Sequence, residues 1–250
     1  MTIKETFHNA KTYSVYYGKD CLEELQRYDI VIIEPMAHKI PAIADLRKRG
    51  IVVFAYLSVV EAHPEQIGSH LRKENLLTVQ GEPLTNDEYQ TYYADIRSEE
   101  WLKHLYKKAE TYLKEYQCDG LFLDTIGNLE DPRIPVNIKY DLIETAVTFL
   151  ENIKKRFNQS LLIQNNGLGL LLQYTKDYVD GVCWENMSFR HGLTGRFNKV
   201  IWKKLKAYQT ETGLKVFLLT EDSEHPGKAM KFARKNDFLY YNASKDYIKF

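Results

Sequence analysis

The chain is short of the residues that most readily declare a function. Its three cysteines, Cys21, Cys118 and Cys183, lie far apart and in no C-x-x-C spacing, which argues against a disulfide framework and a structural zinc site. Its seven histidines form no H-x-H or H-E-x-x-H pair, so no metal site of that kind is expected. The first strand-to-helix turn, Tyr17-Gly18-Lys19, lacks G-x-G-x-x-G, and no G-x-S-x-G elbow occurs; dinucleotide-binding and serine-hydrolase readings lose their signature. No predicted strand ends in a lysine, which weakens a Schiff-base aldolase. Net charge is also missing: 34 Lys and Arg balance 34 Asp and Glu, removing the electrostatic case for nucleic acid or an anionic membrane as partner. No apolar run approaches the roughly 18 residues of a membrane span. The opening residues, with Lys4, Glu5, His8 and Asn9, do not resemble an export signal. As written the chain is expected to be cytoplasmic, or secreted if a leader precedes it. Neither cofactor nor metal is called for.

What the sequence does contain is a succession of short apolar segments. Strands are predicted at Tyr13–Tyr17, Asp29–Glu34, Ile51–Val60, Asp119–Asp124, Leu161–Asn165, Gly181–Glu185, Lys215–Thr220 and Asp237–Tyr241, several of them continuous enough to be buried on both faces. Helical segments separate most of them. Cys21–Tyr28 and Leu168–Lys176 are short, and Pro41–Arg49 closes on Gly50. Ser98 caps a helix striped by Trp101, Leu105, Ala109, Tyr112 and Tyr116. The clearest periodicity is Val136, Tyr140, Ile143, Val147, Leu150 and Phe157. Phe197–Thr212 turns Val200, Ile201, Leu205 and Tyr208 inward, and a last helix opens at Pro226 with Met230 and Ala233 packing. Residues 61–95 are irregular, broken by Pro64, Gly68, Gly81 and Pro83, and an insertion that long is usually functional or carries a small element of its own. Eight strands in 250 residues, with no linker and no shift of composition, predict a single (β/α)8 barrel domain over residues 1–250 rather than an open doubly wound sheet.

Barrels of this class put their active groups on the loops after the strands. Here that places Glu34, Glu61, Asp124, Asn165, Glu185, Glu221 and Asp222 together. Asp124 and Glu185 stand apart because each directly continues an apolar strand that opens on Asp-Gly. Alternation puts Phe122 with Asp124, and Gly181 and Cys183 with Glu185. The small pair suits a crowded interior and aims Glu185 inward. Two carboxylates facing one cleft are the equipment of glycoside hydrolysis, one attacking the anomeric carbon or activating water while the other supplies a proton to the leaving oxygen. The 18 tyrosines suit the walls of a sugar site, although packing explains most of them.

Asp119–Thr125, Gln164–Gly167, Asp180–Glu185, Tyr56-Leu57-Ser58 with Glu61, and Tyr93–Arg97 followed by Trp101 together resemble the endo-α-1,4-polygalactosaminidase family of glycoside hydrolases. The resemblance implies a (β/α)8 barrel that cleaves α-1,4-linked galactosamine or N-acetylgalactosamine polymers without a metal. It implies Asp124 as nucleophile and Glu185 as acid/base of a retaining mechanism, with Glu61, Asn165 and Tyr16 lining the cleavage subsite and Glu34 and Tyr56 as further sugar contacts. The chain departs from the family pattern at Val60, where glycine often stands, and after Glu61, where the usual Arg and Trp are missing. A carbohydrate-binding barrel that has lost catalysis is the competing expectation.

Overall fold

Eight parallel strands hydrogen-bond in chain order in a computed structural model that describes residues 2–19, 21–68, 71–187 and 196–249. They are β1 (Tyr13–Tyr16), β2 (Ile30–Ile33), β3 (Val52–Ser58), β4 (Gly120–Asp124), β5 (Leu161–Asn165), β6 (Gly181–Glu185), β7 (Lys215–Glu221) and β8 (Leu239–Ala243). β8 packs beside β1, so the sheet comes round into the (β/α)8 barrel that the alternation of segments predicts. An N-terminal helix, α1 (Ile3–Asn9), precedes the first strand. The crossovers carry α2 (Leu22–Leu25), α3 (Ile40–Lys48), α4 (Glu99–Glu110), α5 (Val136–Arg156), α6 (Leu171–Thr175), α7 (Arg196–Thr212) and α8 (Pro226–Asn236). Among the described residues no helix is long and apolar enough to cross a membrane.

Alternation along each strand separates two cores. Tyr13, Val15, Ile30, Ile32, Val52, Phe54, Phe122, Leu161, Ile163, Cys183, Phe217 and Leu219 fill the barrel, while Val31, Ile33, Val53, Leu57, Leu121, Leu123, Val182 and Leu218 meet the helices. The two strands that open on Asp-Gly are anchored at their N-terminal ends by the aspartates. Asp119 accepts from Val53 N at 2.9 Å and Arg47 Nε at 2.8 Å; Asp180 accepts from Leu162 N at 2.9 Å and Lys154 Nζ at 2.5 Å. Each carboxylate thus takes a backbone N–H from a neighbouring strand and stays paired, which offsets the cost of removing it from water. The glycines that follow are required by crowding. A Cβ on Gly120 would stand 2.3 Å from Leu161 O, and one on Gly181 would stand 2.8 Å from the Phe217 ring.

Sequence periodicity does not reveal α1. Its one aromatic side chain, Phe7, is wholly buried and packs against Phe54 and Phe217 inside the barrel, with Ile3 beside the same core, so a helix that reads as mostly polar plugs the floor. Three predicted helix faces also shift. Val136 and Tyr140 are exposed; on α5 Ile143 and Leu150 are buried as expected, joined by Leu142, Ala146, Phe149 and Ile153. Val200 and Met230 are likewise exposed, beside Ile201 and Ala229 that are not. In each case two apolar rows stand about one position apart, and only contact with the sheet decides between them. Residues 61–95 do carry an element of their own: Glu61–Ala62, Thr85–Asn86 and Thr91–Tyr93 form a three-stranded antiparallel sheet over the end of β3.

Phe7→Ala removes the plug at the end of the barrel opposite the terminal acids. It is expected to lower stability by about 3–5 kcal/mol, read as a reduced urea midpoint at unchanged slope.

Candidate active site

The last inward-facing residue of each strand makes a ring at the C-terminal mouth. Asp124, Asn165 and Glu185 end β4, β5 and β6, and each stands two residues beyond an interior residue: Phe122, Ile163 and Cys183. Tyr56 on β3, Tyr17 after β1 and Glu221 on β7 follow the same alternation. The middle strand of the three joins the outer two. Asn165 Nδ2 donates to Asp124 Oδ1 at 2.7 Å and to Glu185 Oε2 at 2.8 Å, so those two oxygens lie no more than about 5.5 Å apart. The amide orientation follows from its surroundings, because the reverse would set an oxygen against two acids. Asn165 Oδ1 is buried without a hydrogen-bond partner among the described residues.

Each acid has further donors. Tyr56 hydrogen-bonds Asp124. Asn166 Nδ2 reaches Glu185 Oε2 at 3.4 Å while its Oδ1 accepts from Glu185 N at 3.1 Å. The Tyr247 hydroxyl donates to Glu185 Oε1. Burial and then the Asp124 charge raise the Glu185 pKa above its ordinary value, while the bonds from Tyr247 and Asn165 hold it down. The buried phenols of Tyr17 and Tyr56 are pushed well up, by burial first and then by Asp124, so they stay protonated and able to donate.

The chain turns sharply outward just after this ring. Thr125, Asn166, Asn186 and Asp222, one residue past the ends of β4 to β7, all have positive φ, at 59°, 55°, 55° and 40°. Asn and Asp tolerate this region, whereas a β-branched threonine is strained there. Thr125 is held by its own hydroxyl, which accepts from Val59 N and Val60 N, both at 3.0 Å.

The other expected sugar contacts fall in different places. Tyr16 faces the helix layer, its hydroxyl 2.8 Å from Lys19 O and its ring near His38; by alternation the ring at the mouth is that of Tyr17, packed at a tilt against Tyr56 and Tyr247 with centroids 4.7 and 5.3 Å away. Glu34 shares the inward parity of Ile30 and Ile32, but β2 stops at Ile33 and the carboxylate takes hydrogen bonds from Met36 N at 3.2 Å and Tyr112 OH at 3.1 Å. Glu61 is buried and accepts from Asn86, Thr91 and Asn128 at 2.9, 2.5 and 2.5 Å, tying the inserted sheet and the loop after β4 to the end of β3. Val60 is buried with no positive φ, so its backbone does not demand glycine. Glu221 and Asp222 accept from the backbone nitrogens of Asp246 and Lys245 at 2.9 and 3.1 Å. Sequence reasoning missed Tyr17, Tyr247 and Asn166. An alternation count carried one residue past Tyr16 would have found the first; nothing local marks the second.

The profile of glycoside-hydrolase family GH114 matches residues 4–218. Among solved structures, the glycoside hydrolase domain of PelA from Pseudomonas aeruginosa superposes with a TM-score of 0.80 at 18% identity, covering 97% of each chain. Ega3 from Aspergillus fumigatus, in complex with galactosamine, gives 0.66 at 12% identity over 95% of this chain and 91% of that one. At such identities the likeness is one of fold. No curated protein sequence matches the chain.

Because the Asp124 charge helps keep the Glu185 proton on, Asp124→Asn is expected to lower the pH at which the Glu185 carboxyl ionises. Carbon-13 titration of labelled glutamate, assigned with Glu185→Gln, reads this directly; an unmoved midpoint would mean that the two acids do not interact.

Proposed function

The chain belongs to glycoside-hydrolase family GH114, and from that membership we propose that it hydrolyses α-1,4-linked chains of galactosamine or N-acetylgalactosamine with Asp124 as nucleophile and Glu185 as acid/base. The observation that carries this reading is the Asn165 nitrogen shared by both carboxylates; oxygens no more than about 5.5 Å apart are compatible with the short separation used for double displacement. That a structural neighbour, Ega3, was solved with galactosamine supports an amino sugar as substrate.

In this scheme Asp124, oriented by Tyr56 and Asn165, attacks the anomeric carbon while Glu185 passes its proton to the departing glycosidic oxygen. The bond from carbon to that oxygen breaks and a glycosyl ester forms on Asp124. Glu185, now a carboxylate, takes a proton from water; the water oxygen attacks the same carbon, and Asp124 is released. Two inversions leave the α configuration unchanged. The raised pKa of Glu185 suits the first step, since a donor must hold its proton until the leaving oxygen needs it. The tyrosines at the mouth offer apolar faces for a sugar ring and hydroxyls for its oxygens.

Defined α-1,4-galactosamine oligomers at several degrees of acetylation provide the test. The protein is expected to release new reducing ends that are α when first formed, read by proton NMR. Asp124→Asn and Glu185→Gln should each slow release by about 10²–10⁴-fold with little change in thermal midpoint. Products formed first as β anomers, or full activity in either variant, would count against the assignment.

A further inference from the structure

The family match ends at residue 218, yet the donor to Glu185 Oε1 comes from beyond it. We infer that Tyr247, carried by the segment after β8, is a positioning residue whose hydroxyl holds the Glu185 carboxylate formed when Oε1 gives up its proton. The inference rests on Glu185 being the acid/base proposed above.

The two oxygens of Glu185 are unequally occupied. Oε2 takes hydrogen bonds from both Asn165 and Asn166, which uses its two lone pairs. Among the described residues Oε1 takes the Tyr247 hydroxyl alone. The remaining lone pair, and so the proton, belongs to Oε1. As the proton leaves, the phenol is already aimed at the developing carboxylate, a charge-assisted bond that needs no rearrangement.

The segment is built to hold that aim. Asp246 and Tyr247 both adopt left-handed backbone, with φ of 61° and 57°, a conformation that bulky residues enter only when their surroundings impose it. Those surroundings are visible. Glu221 and Asp222 accept from the nitrogens of residues 246 and 245 at 2.9 and 3.1 Å. Tyr17 N donates to Tyr247 O at 2.7 Å, and Ser244 Oγ bonds both Lys249 N and Lys249 O, at 3.1 and 2.6 Å. The segment therefore ties the end of β1 to the end of β7, and the Tyr247 ring leans on Tyr17. The titratable groups facing Glu185 include Asp124 from β4, Glu221 from β7, Cys183 from its own strand, Tyr13 from β1, Tyr17 after it, Tyr89 from the inserted segment, and Tyr247 itself; of these Tyr247 donates a hydrogen bond that lowers its proton affinity.

Tyr247→Phe keeps the ring and removes the donor. Tyr240→Phe is the control, since that hydroxyl bonds Thr220 and not Glu185. Carbon-13 titration of the Glu185 carboxyl is expected to show roughly tenfold tighter proton binding in Tyr247→Phe and no change in the control. On oligosaccharide, kcat should fall about 10–100-fold at nearly constant KM, with the alkaline limb of kcat/KM moved upward. An unmoved Glu185 midpoint overturns the proposal, and so does a moved midpoint with kcat unchanged. The titration needs no substrate, so a wild-type protein that cleaves nothing would overturn the hydrolytic reading, while the titration alone would still decide whether Tyr247 sets the Glu185 proton.

Discussion

Two carboxylates held about 5 Å apart repel one another by roughly 3 kcal/mol at an effective dielectric near 20, and the side-chain amide of Asn165 is what allows the barrel mouth to keep them there. Its nitrogen donates to both acids. It can do so because β5 lies between β4 and β6 and its last residue has the same inward parity as theirs. No salt bridge to either acid occurs among the described residues, so their partners there are hydrogen-bond donors. Burial first, and then the Asp124 charge, raise the Glu185 pKa, which suits the proton-donor role proposed for it.

The floor of the barrel guarantees the geometry at its mouth. Asp119 and Asp180 each bind a backbone N–H of a neighbouring strand, and Gly120 and Gly181 make room behind them for the Phe54 and Phe217 rings. From each glycine, four residues of strict alternation lead to an inward-facing acid. A slip of one residue would turn both acids into the helix layer. Phe7 closes the floor from a helix whose other residues are exposed or half-buried.

Strain is concentrated at the opposite end. Four successive strands leave the ring through a left-handed residue, and the segment after β8 adds two more at Asp246 and Tyr247. Each is held by hydrogen bonds to a different strand, as with Thr125 and the nitrogens after β3. The mouth is therefore a cross-linked rim, and Glu61, Glu221 and Asp222 contribute to it by holding loops in place.

Parity and strand order were legible in the sequence, because alternation is a local property of extended backbone and the Asp-Gly openings and terminal acids of β4 and β6 are neighbours in the chain. By itself the sequence determined the barrel, the inward aim of Asp124 and Glu185, and the family to which their motifs belong. It did not determine what those acids touch. Glu34 follows the right parity but lies one residue beyond its strand, where Tyr112 and Met36 capture it; Tyr16 loses its expected place to Tyr17 by one step of the same alternation. Tyr247 meets Glu185 across 62 residues, a contact made only when the sheet comes round and β8 reaches β1. Tertiary structure alone decided such partners, because which side chain donates to a buried carboxylate depends on distances across the ring, and a linear pattern carries no record of them.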